Sequence, residues 1–486
     1  MSATDWINRS VALLGSDKKN KKTALDAAAK TTSAAPVADV ARSLRERLKA
    51  TLRLKDEGLS PRQLRRTLAE LKAVIDPNVS EVEGGRRASG IAALYARAPL
   101  NERHDVWLLM SEEFVADVEK AKLAQAQYAA DVDKGNEAVA EVRYRRATVS
   151  PRRRLLQRFS AFPDGIRFLV DLRAEMLSSL KTDKRLQALD VEMEYMFSTW
   201  FDVGFLELRR ISWDSPASLI EKLIKYEAVH DIKSWSDVKN RLDSDRRCYG
   251  FFHTRLPTEP LIFVEVALID SLASCITPLL DETAVAADLE KATTAIFYSI
   301  SNTQPGLRGV SFGDSLIKRV VDTLKDEFPR LKVFSTLSPI PGFKSWLTKN
   351  AAAMLALMDE KSLANLGRAI GFEPPGAGHF LSAAENPLSL ADKSPVRLML
   401  LRCAAHFLGQ ALGNGRPLDS VARFHLGNGA RIERLNWAGD PSAKGVKQSY
   451  GLMVNYLYDL RKLDKHRVML AQGKVPASSE IEGFYF

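Results

Sequence analysis

The sequence predicts an α+β protein, with an all-helical bundle in its N-terminal part and a mixed α/β domain after it. Two observations carry this. Up to about Trp200, apolar residues recur at spacings of three and four, as in helices that bury one stripe. Beyond it, short runs of β-branched and bulky residues alternate with helical segments, which implies strands and helices in layers.

Residues 1–36 are rich in Ala, Lys, Ser and Thr without a sustained apolar period, and are expected to form a loose tail. The helical domain is expected over 37–200. Ser60-Pro61 marks a helix start, with serine as N-cap and proline at the first helical position. Leu64, Leu68 and Leu71 then form one stripe. A second pattern, from about Asn101, puts Val106, Leu109, Met110, Phe114 and Val118 on one face. A third begins at Ser150-Pro151 and runs through Leu155, Leu156 and Phe159, then resumes after Pro163-Asp164-Gly165 with Phe168, Leu169 and Leu172. The second domain is expected over 201–470. Residues 206–213, 247–253, 260–270 and 295–301 read as strands, and 217–226 and 315–328 as helices. Residues 471–486 are expected as a C-terminal tail.

Composition excludes several classes. Cys248, Cys275 and Cys403 are widely spaced with no CxxC pair, so zinc ribbons and dithiol redox sites lack their ligands. No HxxxH or HxH spacing offers a metal site. The most apolar stretch, 261–270, contains Glu265 and is half the ~20 residues a spanning helix needs, so no membrane association is expected. The start carries Asp5 and Asp17 around a short apolar run, unlike a secretory signal, and Phe484-Tyr485-Phe486 is no peroxisomal tripeptide. The expected location is the cytoplasm. Lys and Arg number 70 against 60 Asp and Glu, a net charge of +10 that attracts anions. The arginines between Arg143 and Arg158 interleave only with Tyr144, so they read as a solvated face and not a nucleic-acid surface.

Three clusters carry possible chemistry. In 301–329 a strand runs into a loop with Gly306, Arg308, Gly309 and Gly313, then into an amphipathic helix. Backbone N–H groups, a helix N-terminus and one cation suit a pyrophosphate, and a plain strand-to-helix turn fits as well. In 331–343 a short β-like run ends at Ser338, and Pro339 and Pro341 make the adjoining loop stiff. This is either a Ser-Pro turn or a hydroxyl held for a site. In 424–437 the Asn428-Gly429 pair predicts a hairpin with 424–426 as one arm, and His425 sits just before the turn. A lone histidine is structural more often than catalytic.

These clusters, as TQPGLRGVSFGDSLIKRVV, FSTLSPIPGF and FHLGNGARIERLNWAGDPSAKGVKQSYGLMVNYLY, resemble the malonyl-CoA decarboxylase family closely. The segment WFDVGFLELRRISWDSPASLIEKLIKYEAVH resembles that family's entry into its catalytic domain. The resemblance implies an N-terminal helical domain and a GNAT-type, acetyltransferase-like catalytic domain. It implies conversion of malonyl-CoA to acetyl-CoA and carbon dioxide without metal or organic cofactor, coenzyme A being part of the substrate. It places the catalytic serine on Ser338 and the catalytic histidine on His425. The coenzyme-A loop falls on Arg308, Gly309, Val310, Ser311, Phe312, Gly313 and Asp314, and a tyrosine near the acyl group on Tyr458. It also implies a homo-oligomer, dimer or tetramer, through the helical domain.

The residue types suit the chemistry. Loss of carbon dioxide leaves an enolate, whose oxygen needs a hydrogen-bond donor and whose α-carbon needs a proton. Ser338 is expected to hydrogen-bond the malonyl group and assist proton transfer, and His425 to donate the proton as an imidazolium with a pKa near the ordinary ~6.5. Two other readings stay open, an acyltransferase with a second, acceptor pocket and a non-enzymatic coenzyme-A-binding protein.

Overall fold

The computed structural model describes residues 42–132, 136–310 and 316–486. The expected tail over 1–36 lies outside them. The described residues fall into two compact units, 42–50 and those from 51 to 486. In the first, α1 (Leu44–Lys49) is capped reciprocally, Ser43 accepting the Glu46 N–H and the Glu46 carboxylate accepting the Ser43 N–H. Residues 51–200 share one unit with the sheet.

That part comprises α2 (Pro61–Val74), α3 (Glu81–Arg97), α4 (Leu100–Glu112), α5 (Val118–Val132), α6 (Glu137–Thr148), α7 (Pro151–Ser160), α8 (Gly165–Met176) and α9 (Gln187–Trp200). Ser60 and Ser150 cap α2 and α7 with proline just inside, as the sequence predicts. The second pattern breaks where one helix was expected. Helix α4 ends at Glu112, Phe114 is buried in the connection, and Val118 is exposed at the start of α5.

After Trp200 come β1 (Leu206–Ile211), α10 (Ala217–Tyr226), α11 (Trp235–Arg241), β2 (Arg246–His253), β3 (Leu256–Ile269) and β4 (Thr294–Asn302). Next are α12 (Leu316–Glu327), β5 (Val333–Thr336), β6 (Ser338–Pro339), α13 (Phe343–Ala356), α14 (Glu360–Ile370), α15 (Ala377–Ala383) and α16 (Pro395–Gly409). The chain closes with β7 (Leu412–Gly413), β8 (Arg416–Pro417), α17 (Ser420–Gly427), β9 (Arg431–Asn436), α18 (Ala443–Ser449), β10 (Met453–Leu457), α19 (Leu463–Ala471) and α20 (Ser479–Glu482).

Eight strands form one sheet in the order β1-β2-β3-β4-β5-β10-β6, with β9 also on β10. Every pairing in it is antiparallel except β4 with β5. That parallel pairing runs from Thr294/Val333 to Phe297/Thr336, and one further bond joins Leu337 N–H to Phe297 O. Beyond it β4 continues to Asn302 without β5 alongside. Pro339 and Pro341 have no N–H to extend the ladder, and the chain goes over to β10 instead. The mixed sheet expected after the helical region is present.

Two local expectations are corrected. His425 lies in helix α17 and not on a hairpin arm. Asp419 caps that helix by accepting the Ala422 N–H, and Ala422, His425 and Leu426 fall on its buried face. Residues 471–486 are not a tail. Ala477 bridges to Ile432, Ser478 N–H donates to Ile432 O at 2.8 Å, and Ile481 is fully buried.

Candidate active site

Three segments far apart in sequence meet at the carboxyl end of the parallel pair, where open α/β sheets commonly bind ligands. Ser338 stands just past β5, held by its pairing with Val454 of β10. His425 occupies the last turn of α17. Tyr458 comes directly after β10, and its N–H donates to Phe334 O at 2.9 Å. The turn after α17 is the one Asn428-Gly429 announces. Gly429 has φ of 86°, and a Cβ there would lie 2.8 Å from the Leu463 carbonyl oxygen, so only glycine fits.

The side chains make a continuous chain. Ser338 Oγ lies 3.3 Å from His425 Nε2, and His425 Nδ1 lies 2.7 Å from the Tyr458 hydroxyl. Ser338 donates its own proton to Thr336 Oγ1 at 2.8 Å, and the Tyr456 N–H donates to the same oxygen at 3.1 Å. The imidazole stacks on the Tyr456 ring, centroids 4.8 Å apart. Beneath, Asn455 donates to Thr336 O at 2.7 Å and accepts from Asn436 at 2.8 Å, tying β5, β9 and β10 together.

All of these groups are buried. Desolvation pushes the His425 imidazole down to about 3 and the Tyr458 hydroxyl upward. The ring is therefore neutral at physiological pH. The expected imidazolium donor with a pKa near 6.5 is corrected, because burial disfavours the charged ring and no carboxylate among the described residues pairs with it. A neutral imidazole between two hydroxyls still donates at one nitrogen and accepts at the other.

The loop after β4 is only partly described. Ser311, Phe312, Gly313 and Asp314 lie outside the described residues. Arg308 and Gly309 are exposed, Val310 is buried, and Gly309 has φ of 84°. The nearest atoms a Cβ on Gly309 would meet among the described residues are those of the Glu194 carboxylate, 3.6 Å away or more, so its need for glycine is conformational. The loop is braced from the helical region. Arg173 of α8, 1% exposed, donates through Nη1 to Gly306 O at 2.7 Å and Arg308 O at 2.9 Å. Its Nε pairs with Asp190 of α9 at 2.8 Å. Gly306 itself is pressed on α8, where a Cβ would sit 1.9 Å from Val170 O.

Sequence reasoning missed Thr336 and Arg173. Arg173 had a signal, a cation inside the apolar run Leu169-Val170-Leu172-Met176, where a charge on a buried face needs partners. Thr336 had none, since a threonine in a strand is ordinary. Among the described residues, no group of three His, Cys, Asp or Glu is disposed to hold a metal ion.

Comparison with known proteins covers both halves of the chain. Family models for the malonyl-CoA decarboxylase N-terminal and C-terminal domains match residues 114–201 and 204–484. The mitochondrial malonyl-CoA decarboxylase of Anser anser anser is 35% identical over 395 residues, 76% of this chain and 75% of that one. The mouse mitochondrial enzyme is 38% identical over 360 residues, 70% of this chain and 72% of its own. The crystal structure of malonyl-CoA decarboxylase from Rhodopseudomonas palustris superposes with a TM-score of 0.74 at 39% identity. It covers 86% of this chain and 99% of that one. That from Cupriavidus metallidurans gives 0.72 at 39% identity, over 87% and 100%.

Proposed function

The chain belongs to the malonyl-CoA decarboxylase family, and from that premise we propose how its own residues carry out the reaction. The enzyme is a carboxy-lyase that converts malonyl-CoA to acetyl-CoA and carbon dioxide. The observation that carries the residue assignment is the buried chain Tyr458–His425–Ser338.

As the carboxyl group leaves as carbon dioxide, the electrons of the breaking C–C bond form an enolate. Ser338 hydrogen-bonds the malonyl group, and a well-placed donor on the thioester oxygen contributes about 2.7–4 kcal/mol. The Nε2 proton of neutral His425 passes to the α-carbon, with Ser338 assisting. Tyr458 gives its proton to Nδ1 in the same event; afterwards a proton from solvent returns to Nε2 and Nδ1 hands its own back to Tyr458, which restores the starting tautomer at the cost of one proton per turnover. A positioned acid of this kind contributes about 10²–10⁴-fold. Arg308 and the loop through Asp314 hold the coenzyme-A pyrophosphate, and no organic cofactor takes part.

The test is incubation of the pure protein with malonyl-CoA alone, then the same assay on Ser338→Ala and His425→Asn. Stoichiometric acetyl-CoA without an acceptor, and kcat lost in both variants with coenzyme-A binding kept, supports the assignment. Near-normal kcat in either variant removes it, and turnover only with an added acceptor points to an acyltransferase.

Cytoplasmic residence and a homodimer or homotetramer through the helical domain belong to the same proposal. Free Cys248, Cys275 and Cys403 support a reducing compartment. Exposed Val118, Leu123, Val139 and Val142 on α5 and α6 support association. Cell fractionation tests the first, and a solution mass of a 54.0 kDa monomer would refute the second.

A further inference from the structure

We propose that Thr336 is a positioning residue that sets the direction of the proton chain, fixing His425 as the tautomer protonated at Nε2. The inference rests on the reading of Ser338 and His425 as the reacting pair. A serine hydroxyl has one proton to donate. Ser338 donates its own to Thr336 Oγ1 at 2.8 Å. Thr336 is fully buried, and its oxygen also accepts the Tyr456 N–H at 3.1 Å, a donor fixed by strand β10. That second bond pins the threonine rotamer with its oxygen toward Ser338.

With the Ser338 proton committed to Thr336, the 3.3 Å contact with Nε2 is a hydrogen bond only if Nε2 carries the proton. A neutral ring carries one proton, so Nδ1 is bare and accepts the Tyr458 O–H at 2.7 Å. The polarity runs from Tyr458 to His425 to Ser338 to Thr336. Without the threonine oxygen, Ser338 is free to donate to Nε2, and the ring then keeps its proton on Nδ1. In that tautomer nothing faces the malonyl group to be transferred. Substrate binding then needs only to turn one hydroxyl, while the ring is already in the productive form.

The experiment is ¹⁵N spectroscopy of histidine-labelled protein, with the His425 signals identified by their loss in His425→Asn, alongside steady-state kinetics. The wild-type ring is expected neutral and protonated at Nε2. Thr336→Val should move it toward Nδ1 protonation and lower kcat about 10–100-fold, as for partial loss of a positioned acid, with KM changed only slightly. Thr336→Ser, which keeps the oxygen, should restore both. A wild-type ring protonated at Nδ1 overturns the proposal, and needs no variant to fold. So does Thr336→Val with an unchanged tautomer, whether kcat falls or not, because a fall alone would then reflect structure. A shifted tautomer with unchanged kcat upholds the role of Thr336 and instead overturns the Ser338–His425 pair.

Discussion

His425 is neutral because it is buried among hydroxyls and rings, with no counter-ion among the described residues, and this has consequences for both rate and stability. An acid that never carries a charge shows no titration step of its own near 6.5. The kcat is therefore expected to stay flat between about pH 5 and pH 8, measured at saturating malonyl-CoA. A fall in kcat with a midpoint near 6.5 would return the imidazolium to the mechanism. Stability behaves differently. Burial also pushes His230 down, to about 4. Above about pH 6.5 both rings are neutral folded or unfolded, and neither affects the balance. As pH falls from about 6.5 toward 3 the unfolded chain takes up protons that the folded chain refuses, so stability is lost across that window. Each such proton contributes about 1.4 kcal/mol per pH unit. His425→Asn should thus flatten the fall of Tm between pH 7 and pH 4 by about one proton's worth, a calorimetric readout independent of catalysis. At this scale the sequence was informative about identity and silent about state. Ser338, His425 and Tyr458 were proposed from motifs, but burial among residues as far as 87 positions away decides the protonation of the ring.

Between elements, the decisive contact is α8 against the loop after β4. Arg173 holds two loop carbonyls, so Arg173→Met should free the loop and leave Asp190 without its partner. Breaking a buried pair from one side costs about 3–5 kcal/mol. The variant is expected to be less stable and to show a raised KM for malonyl-CoA, with kcat less affected, since a binding contact acts alike in ground and transition states. Arg308→Ala should raise KM at near-normal stability, because Arg308 is exposed. If both variants kept wild-type KM, the loop would not be the coenzyme-A cradle. Serine-proline starts made α2 and α7 legible, since cap and proline act within one turn. Helix α17 was misread because Asn428-Gly429 is a turn signal that serves a helix end as readily as a hairpin. Only the packing of Ala422 and Leu426 chose between them.

The whole molecule from residue 51 onward is one compact unit, and its last residues belong to it. Ser478 caps α20 and reaches Glu433 O at 2.6 Å, while the Tyr485 ring fills the space beside Gly409. Deleting residues 472–486 should therefore lower Tm by several degrees or abolish soluble expression, not trim a dispensable end. An unchanged melting curve would contradict the packing. The change from helices to strands after Trp200 was visible in the apolar period, but the docked C-terminus was not, because it depends on contacts between distant segments.

The pairing of β5 and β6 with β10 also bears on how the enzyme is born. Ser335 Oγ bonds Tyr456 O across 121 positions of sequence. Ribosomes add about 5–20 residues per second, so β10 emerges roughly 6–24 s after β5. During that interval the strand bearing Ser338 presents an unpaired edge, and neither His425 nor Tyr458 stands in place. A nascent chain stalled between them holds every residue of the helical bundle and no functioning centre. Chaperone demand should concentrate in that span of synthesis.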